Sequence, residues 1–380
     1  MRREVLSFLV CPRKKAARPC RGSLRVERVL KSWDQDVEDF LEAIVRCERC
    51  RAQYPVLCGI PILHPETPRF LRQNYYLLVE HAHALTCLSD AMRVELTNMA
   101  LLDLKSASEE VFPPQRRFNR DEQQDFHARI GPYLCNHYDD LASIVSPCDP
   151  LYHFLLSYPK RNPHTVLEQF AVLHGNGSGG LAVDIGCNVG GLIAKQAQRY
   201  DFVYGVDLSF EALLLASRIL KQRPTALRRY RLYRDGWRYE LRPIRGSRCP
   251  NVEFVVACAT SLPFRAETFE TVSSCNVIDI VAKPLNVLDE QLRVLKPAGL
   301  FLTSDPYEFY GPGTNRLKTQ GRRSPLSIIK DRITETARIV REDDYVPWVT
   351  HTYERLHMVY YNHCLAAIKQ QKAQRNRTEK

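Results

Sequence analysis

The sequence predicts an α/β fold in which short buried strands alternate with helices, preceded by a cysteine-bearing module and a helical segment. Three observations carry the prediction. The run LAVDIG (181–186) is apolar, β-branched and stops sharply at glycine, as a buried parallel strand does. A glycine-rich turn, VDIGCNVGG (183–191), overlaps its end, and the next apolar run, FVYGV (202–206), closes at Asp207. Near the amino end, Cys11, Cys20, Cys47 and Cys50 sit in short turns.

The two acid-bearing runs describe a nucleotide-type cofactor site. Gly186, Gly190 and Gly191 permit a tight turn in which bare backbone approaches a ligand, and a helix opening after them presents unpaired N–H groups. The Asp207 carboxylate suits two adjacent ribose hydroxyls, with Leu208 beside it. A nicotinamide dinucleotide fingerprint has glycine where this chain has Asn188, and a pyrophosphate is repelled by an acid at Asp184. S-adenosylmethionine fits better, because Asp184 suits its amino group. The alternative is a glycine-rich αβ turn that holds no cofactor.

Downstream, VEFVVACATSLPF (252–264), FETVSSCNVIDIV (269–281) and LRVLKPAGLFLTSDP (292–306) follow in order. Over about 180–306 the chain resembles class I S-adenosylmethionine-dependent methyltransferases, in particular the broad group with an LPF segment. The resemblance implies a Rossmann-like, doubly wound, mostly parallel sheet of seven strands, with the cofactor across the strand ends and methyl transfer by in-line attack on the sulfonium methyl. It puts Asp184, Gly186, Asn188, Gly190, Asp207 and Leu208 on the cofactor, and Cys258, Ala259 and Asn276 at the adenine or the reacting end. Two departures stand out: Cys258 replaces an acid and Asn188 a glycine. They leave open a methyltransferase-fold scaffold without turnover. For acceptors that must lose a proton, Asp279, His137 and Tyr138 are the candidate bases.

Zinc prefers four tetrahedral thiolates in a closed structural site, and Cys11, Cys20, Cys47 and Cys50 supply them. The interval between Cys11 and Cys20 exceeds the usual two to four residues, so the first turn carries an insertion around KKAAR. LVCP (9–12), CRGSL (20–24) and CERCRAQYPVLCGIPIL (47–63) resemble the small zinc-ribbon subunit that activates several tRNA and release-factor methyltransferases. That resemblance covers about the first 65 residues and implies a structural metal. The alternative is four buried thiols without metal.

The net charge of +11 has an address: ten Lys or Arg lie between Lys221 and Arg248, interleaved with Tyr230, Tyr233, Trp237 and Tyr239. Guanidinium groups suit phosphates and aromatics stack on bases, which makes RNA a candidate partner and a nucleic-acid-binding protein an alternative function. The bland reading is a solvated basic insertion between a helix and the next strand. Thirteen scattered cysteines suit reduced thiols better than a disulfide framework. No apolar run approaches the roughly 18 residues of a spanning helix, so the expectation is a soluble, cytoplasmic protein.

The expected layout is a ribbon over 1–65, a helical cap over 66–179, a catalytic domain over 180–369 with the basic insertion 221–248, and a frayed tail over 370–380. Within the cap, helical periodicity covers 70–104, and two short helices broken at Gly131–Pro132 cover 121–145, with a loop over 111–119. Tyr133, His137, Tyr138 and Asp139 are candidates to touch substrate. His81 and His83 sit two apart, on different helix faces, which argues against a shared metal. After the motifs come a loop (311–325), a helix (324–340) and a closing hairpin (345–369), from which Trp348, Arg355 and His357 are further acceptor-side candidates.

Overall fold

The computed structural model describes residues 1–15, 18–33, 36–76, 88–102, 130–157, 162–175, 177, 179–223, 225–309 and 323–371. The chain opens with a 3-10 turn, Arg3–Phe8, and a two-stranded hairpin of β1 (Lys14–Lys15) and β2 (Arg18–Pro19). That hairpin is the insertion the long Cys11-to-Cys20 interval requires. Strands β3 (Leu24–Trp33), β4 (Asp36–Cys47), β5 (Gln53–Leu57) and β6 (Ile60–Leu63) then pair antiparallel in succession.

The apolar runs of the second half become β7 (Leu181–Ile185), β8 (Phe202–Asp207), β11 (Val252–Ala257), β12 (Phe269–Cys275) and β13 (Leu295–Asp305). Between β8 and β11 the basic insertion forms its own hairpin, β9 (Arg229–Tyr233) with β10 (Tyr239–Pro243). The five runs lie parallel in the order β11-β8-β7-β12-β13, and β15 (Leu356–Lys369) and β14 (Ala337–Tyr353) close that side antiparallel. Helices Pro163–His174, Gly191–Gln196 and Phe210–Ala216 cover one face, and Pro284–Val294 and Pro325–Thr334 the other. With both faces covered, the strands are buried along most of their length rather than alternating between buried and exposed.

The sheet has eleven strands, not the seven expected. The ribbon joins it: β6 pairs parallel to β11 through Val256 with Ile62 and Ala257 with Leu63, bringing β5, β4 and β3 along. All four residues of β6 are buried. An isolated ribbon would leave that apolar strand open, and an isolated domain would leave the edge of β11 open; pairing removes both edges.

The cap also departs from expectation. Residues 130–138 are helical straight through Gly131–Pro132, where a break was expected, followed by a 3-10 turn at Leu141–Ser143. Gly131 is suited to the place, since a Cβ there would press to 3.0 Å from the Arg231 carbonyl oxygen. The 70–104 segment contributes helices Thr67–Tyr76 and Asp90–Leu101. His81, His83, the 111–119 loop, 121–129, most of the 311–325 loop and the tail from 372 lie outside the described residues. The helix expected over 324–340 ends at Thr334, because the run from Ala337 to Val340 pairs with Ile368 and its neighbours at the start of β14. No helix among the described residues is long and apolar enough to cross a membrane.

Candidate cofactor site and metal centre

Strand order reverses between β7 and β12, and a crevice opens at the carboxyl ends of the parallel strands at such a switch point. The glycine-rich turn leaves β7 there. Gly186 has φ +74°, and a Cβ on it would lie 2.2 Å from Val277 Cγ2, so any side chain clashes with the turn leaving β12. The turn is pinned to β8 by Gly186 N and Cys187 N donating to the Val206 carbonyl (2.7 and 3.1 Å). Asn188 sits at φ +47°, and its N–H donates to Asp207 Oδ2 at 2.9 Å while Ser209 N donates to Oδ1 at 2.8 Å. Burial raises the Asp207 pKa. Each carboxylate oxygen accepts one backbone bond and retains a lone pair for a hydroxyl.

Exposure divides the expected site residues into two groups. Gly186, Asn188, Asp207, Cys258, Ala259 and Asn276 are half-buried and Leu208 is exposed; they run across the ends of β11, β8, β7 and β12 in that spatial order. Cys258 Sγ meets Thr260 Oγ1 at 3.0 Å. Asn276, at φ +56°, accepts at Oδ1 from Asn362 Nδ2, which also donates to Ser304 Oγ at 2.9 Å. Asp184 and Gly190, by contrast, are buried. Asp184 is 3% exposed and accepts from Ser273 Oγ at 2.7 Å; burial pushes its pKa up to about 7. It ties β7 to β12 from inside the sheet and does not line the crevice.

Two of the three candidate bases are committed elsewhere. Tyr138 donates its O–H to the Val189 carbonyl at 2.6 Å. His137 accepts at Nδ1 from Gly191 N at 2.9 Å, and burial lowers its pKa to about 3. Both brace the glycine-rich turn from the cap, with His164 and Trp348 packed against the His137 ring (4.8 and 6.0 Å). Asp279 is the third: Oδ2 accepts from Glu308 N at 3.2 Å, Oδ1 is buried without a partner, and burial raises its pKa. Asp139 pairs with Arg242 at 2.6 Å, Tyr133 and Arg355 are exposed, and His357 faces His351 and Asp149.

The four cysteine sulfurs lie within 4.8 Å of one another, with Cys11–Cys50 at 3.5 Å and Cys20–Cys47 at 3.7 Å. Zinc–thiolate bonds of about 2.3 Å set a tetrahedral edge of about 3.8 Å, close to those two separations, so the four donors suit a zinc ion. Tyr54 O–H at 2.9 Å from Cys11 Sγ adds an outer partner. Residues flanking the cysteines hold the parallel α/β half. Arg21 donates to the carbonyls of Leu262 (2.8 Å) and Phe264 (3.3 Å) and pairs with Glu290 at 2.8 Å. Glu290 accepts from Leu262 N at 2.7 Å, and Arg293 reaches the same two carbonyls. Val10 N donates to the Pro263 carbonyl at 2.8 Å. The LPF turn, directly after Cys258 and Ala259, is thus held by the ribbon. Sequence reasoning missed Arg21, Glu290 and Asn362; only the i,i+3 pair of Glu290 with Arg293 left a trace in the sequence.

Residues 183–303 match the family described as methyltransferase domain. The matched stretch is about the central third of this chain. Its strand order, with a glycine-rich turn at the switch point and an antiparallel pair closing one side, is the class I arrangement expected from the sequence. No curated protein matches the chain in sequence. Among solved structures, the YcgJ protein of Bacillus subtilis is 16% identical with a TM-score of 0.38, covering 55% of this chain and 99% of that one. The N-methyltransferase NodS of Bradyrhizobium japonicum WM9, in complex with S-adenosyl-L-homocysteine, is 13% identical with a TM-score of 0.38 and covers 64% and 100%. A complex between the Haloferax volcanii Trm112 methyltransferase activator and a methyltransferase gives 15% identity, a TM-score of 0.37 and coverage of 55% and 90%.

Proposed function

We propose that the chain binds S-adenosylmethionine across the ends of β11, β8, β7 and β12 and transfers its methyl group to an acceptor entering beside Asn276 and Asp279. The observation that supports this reading is the Asp207 carboxylate, held at the end of β8 by Asn188 N and Ser209 N. When bound, the cofactor supplies an electrophilic sulfonium methyl. The protein's part is positioning, which accounts for much of the acceleration in such bimolecular steps. Asp207 takes the ribose, the Gly186–Gly190 turn takes the amino-acid end, Leu208, Cys258 and Ala259 flank the adenine, and Asn276 lies at the reacting end. Asp279, whose Oδ1 is buried without a hydrogen-bond partner, is the candidate to remove an acceptor proton.

The zinc site is structural in this reading, bracing the adenine side through Arg21. Isothermal titration with S-adenosylhomocysteine tests the site: micromolar binding, lost in Asp207→Ala and retained in Asp279→Asn, is the expected result. Absent binding in zinc-replete wild-type protein overturns it in favour of a scaffold.

A further inference from the structure

The hairpin β9–β10 sorts the basic insertion by face. In its register Tyr230 opposes Arg242 and Leu232 opposes Glu240, while Arg229 opposes Pro243, Arg231 opposes Leu241 and Tyr233 opposes Tyr239. Directly opposed residues share a face and successive pairs alternate. The first set turns inward: Tyr230 and Leu232 are buried, and Tyr230 O–H and the Arg242 guanidinium both meet Asp139 on the cap. Of the second set, Arg229, Tyr239, Leu241 and Pro243 are exposed, Arg231 is half-buried and Tyr233, nearest the turn, is buried, while Trp237 in the turn is 76% exposed.

Charge sorts the same way. Lys221 pairs with Glu253, Arg223 with Asp39, Arg234 with Glu240 and Glu354, Arg238 with Asp235, and Arg242 with Asp139. Those cations serve the fold. Among the described residues, Arg228, Arg229, Arg231, Arg245 and Arg248 have no ion-pair partner, and all but Arg231 are exposed. Arg231 lies over the Tyr239 ring at 4.6 Å.

We infer that the outer face of β9–β10 is a docking surface for single-stranded nucleic acid, with bases stacked on Trp237 and Tyr239 and phosphates on Arg229, Arg245 and their neighbours. The combination selects this occupant. An acidic peptide or an anionic membrane uses the arginines but has no use for presented ring faces, and an apolar partner is disfavoured by unpaired guanidinium groups; a polynucleotide satisfies both. The surface also has a place in the architecture. Its inner side rests on Asp139, next to the His137 and Tyr138 that brace the glycine-rich turn, and Glu354 N at the tip of the β14–β15 arm donates to the Arg234 carbonyl at 3.4 Å. A strand held there runs past the cap. The surface stands independently of the cofactor assignment.

The test is fluorescence anisotropy of the full chain with a labelled short polyuridine RNA, read over a range of salt concentrations. Expected is binding at low salt with a log–log salt slope of about −2 to −3, as for three or four phosphate contacts. Trp237→Ala and the double variant Arg229→Glu/Arg245→Glu each weaken binding about tenfold or more, and Trp237→Phe restores most of it. S-adenosylhomocysteine affinity and zinc content, unchanged in these variants, show that they fold. Absent binding at low salt overturns the proposal, as does binding that ignores both variants. Equal capture by phosphatidylserine vesicles or polyglutamate, with the same dependence on Trp237, overturns it as well.

Discussion

The main-chain N–H of Asn188 donates to Asp207 Oδ2 at 2.9 Å, so the acid at the end of β8 holds the glycine-rich turn that leaves its neighbour β7. A residue in place of a usual glycine thereby keeps a role its backbone can fill. Its φ of +47° is a conformation that asparagine tolerates better than most residues.

Asp207→Ala removes the acceptor for both Asn188 N and Ser209 N as well as the proposed ribose contact. S-adenosylhomocysteine binding is expected to vanish by isothermal titration, with stability falling by about 1–2 kcal/mol for the two lost bonds. Asp207→Asn keeps one acceptor and falls between the two. Wild-type affinity in the alanine variant removes Asp207 from the site.

Arg21→Ala disconnects the ribbon from the LPF turn while leaving the four thiols in place. Zinc content is expected to stay unchanged by elemental analysis, with about 2 kcal/mol lost in denaturant melts, since Arg293 still reaches both carbonyls. Cofactor affinity falls several-fold because the adenine side is loosened. An unchanged affinity means that the Cys258–Ala259 segment is fixed without the ribbon.

Withdrawing the metal with a strong chelator is expected to melt the ribbon and expose the β11 edge that β6 covers. Protease sensitivity within the first 65 residues, reversed by added zinc, is the readout. A chelated protein as protease-resistant as the native one argues against a structural metal.

Asp184 gives a pH prediction. Its pKa is raised by burial to about 7, above the unfolded carboxylate's roughly 3.9, so the folded state binds a proton more tightly. Its contribution to stability is therefore fully present below about pH 4 and lost as pH rises towards 7. Asp184→Asn keeps an acceptor for Ser273 and abolishes this titration. In cofactor-free protein, the variant's melting temperature relative to wild type is expected to rise between pH 4 and pH 7. A constant difference across that range shows that Asp184 does not titrate.

Tyr138→Phe separates bracing from catalysis. Losing the O–H donated to the Val189 carbonyl costs about 1 kcal/mol and a few-fold in cofactor affinity. A variant that binds cofactor normally and melts like wild type contradicts the bracing role.

Much of the site was legible in the chain because its signals are local. The glycines of 186–191, the acid closing FVYGV and the cysteine turns each depend on a few neighbouring residues, and all landed in the expected elements. The bracing contacts of His137 and Tyr138, two of the candidate bases, were not legible for the opposite reason. Their hydrogen-bond partners, Gly191 N and the Val189 carbonyl, are 54 and 51 positions away, and no pattern in residues 130–138 names them.

The sequence by itself determined the strands, the switch-point turn and the four thiols, since local backbone demands and ligand chemistry are written in adjacent residues. Only the tertiary structure decided that β6 extends the sheet to eleven strands, that Arg21 clamps the LPF turn, and which arginines of the insertion are paired. Those outcomes turn on which edge, carbonyl or carboxylate lies nearby in space, and burial and charge pairing are settled between elements rather than within them.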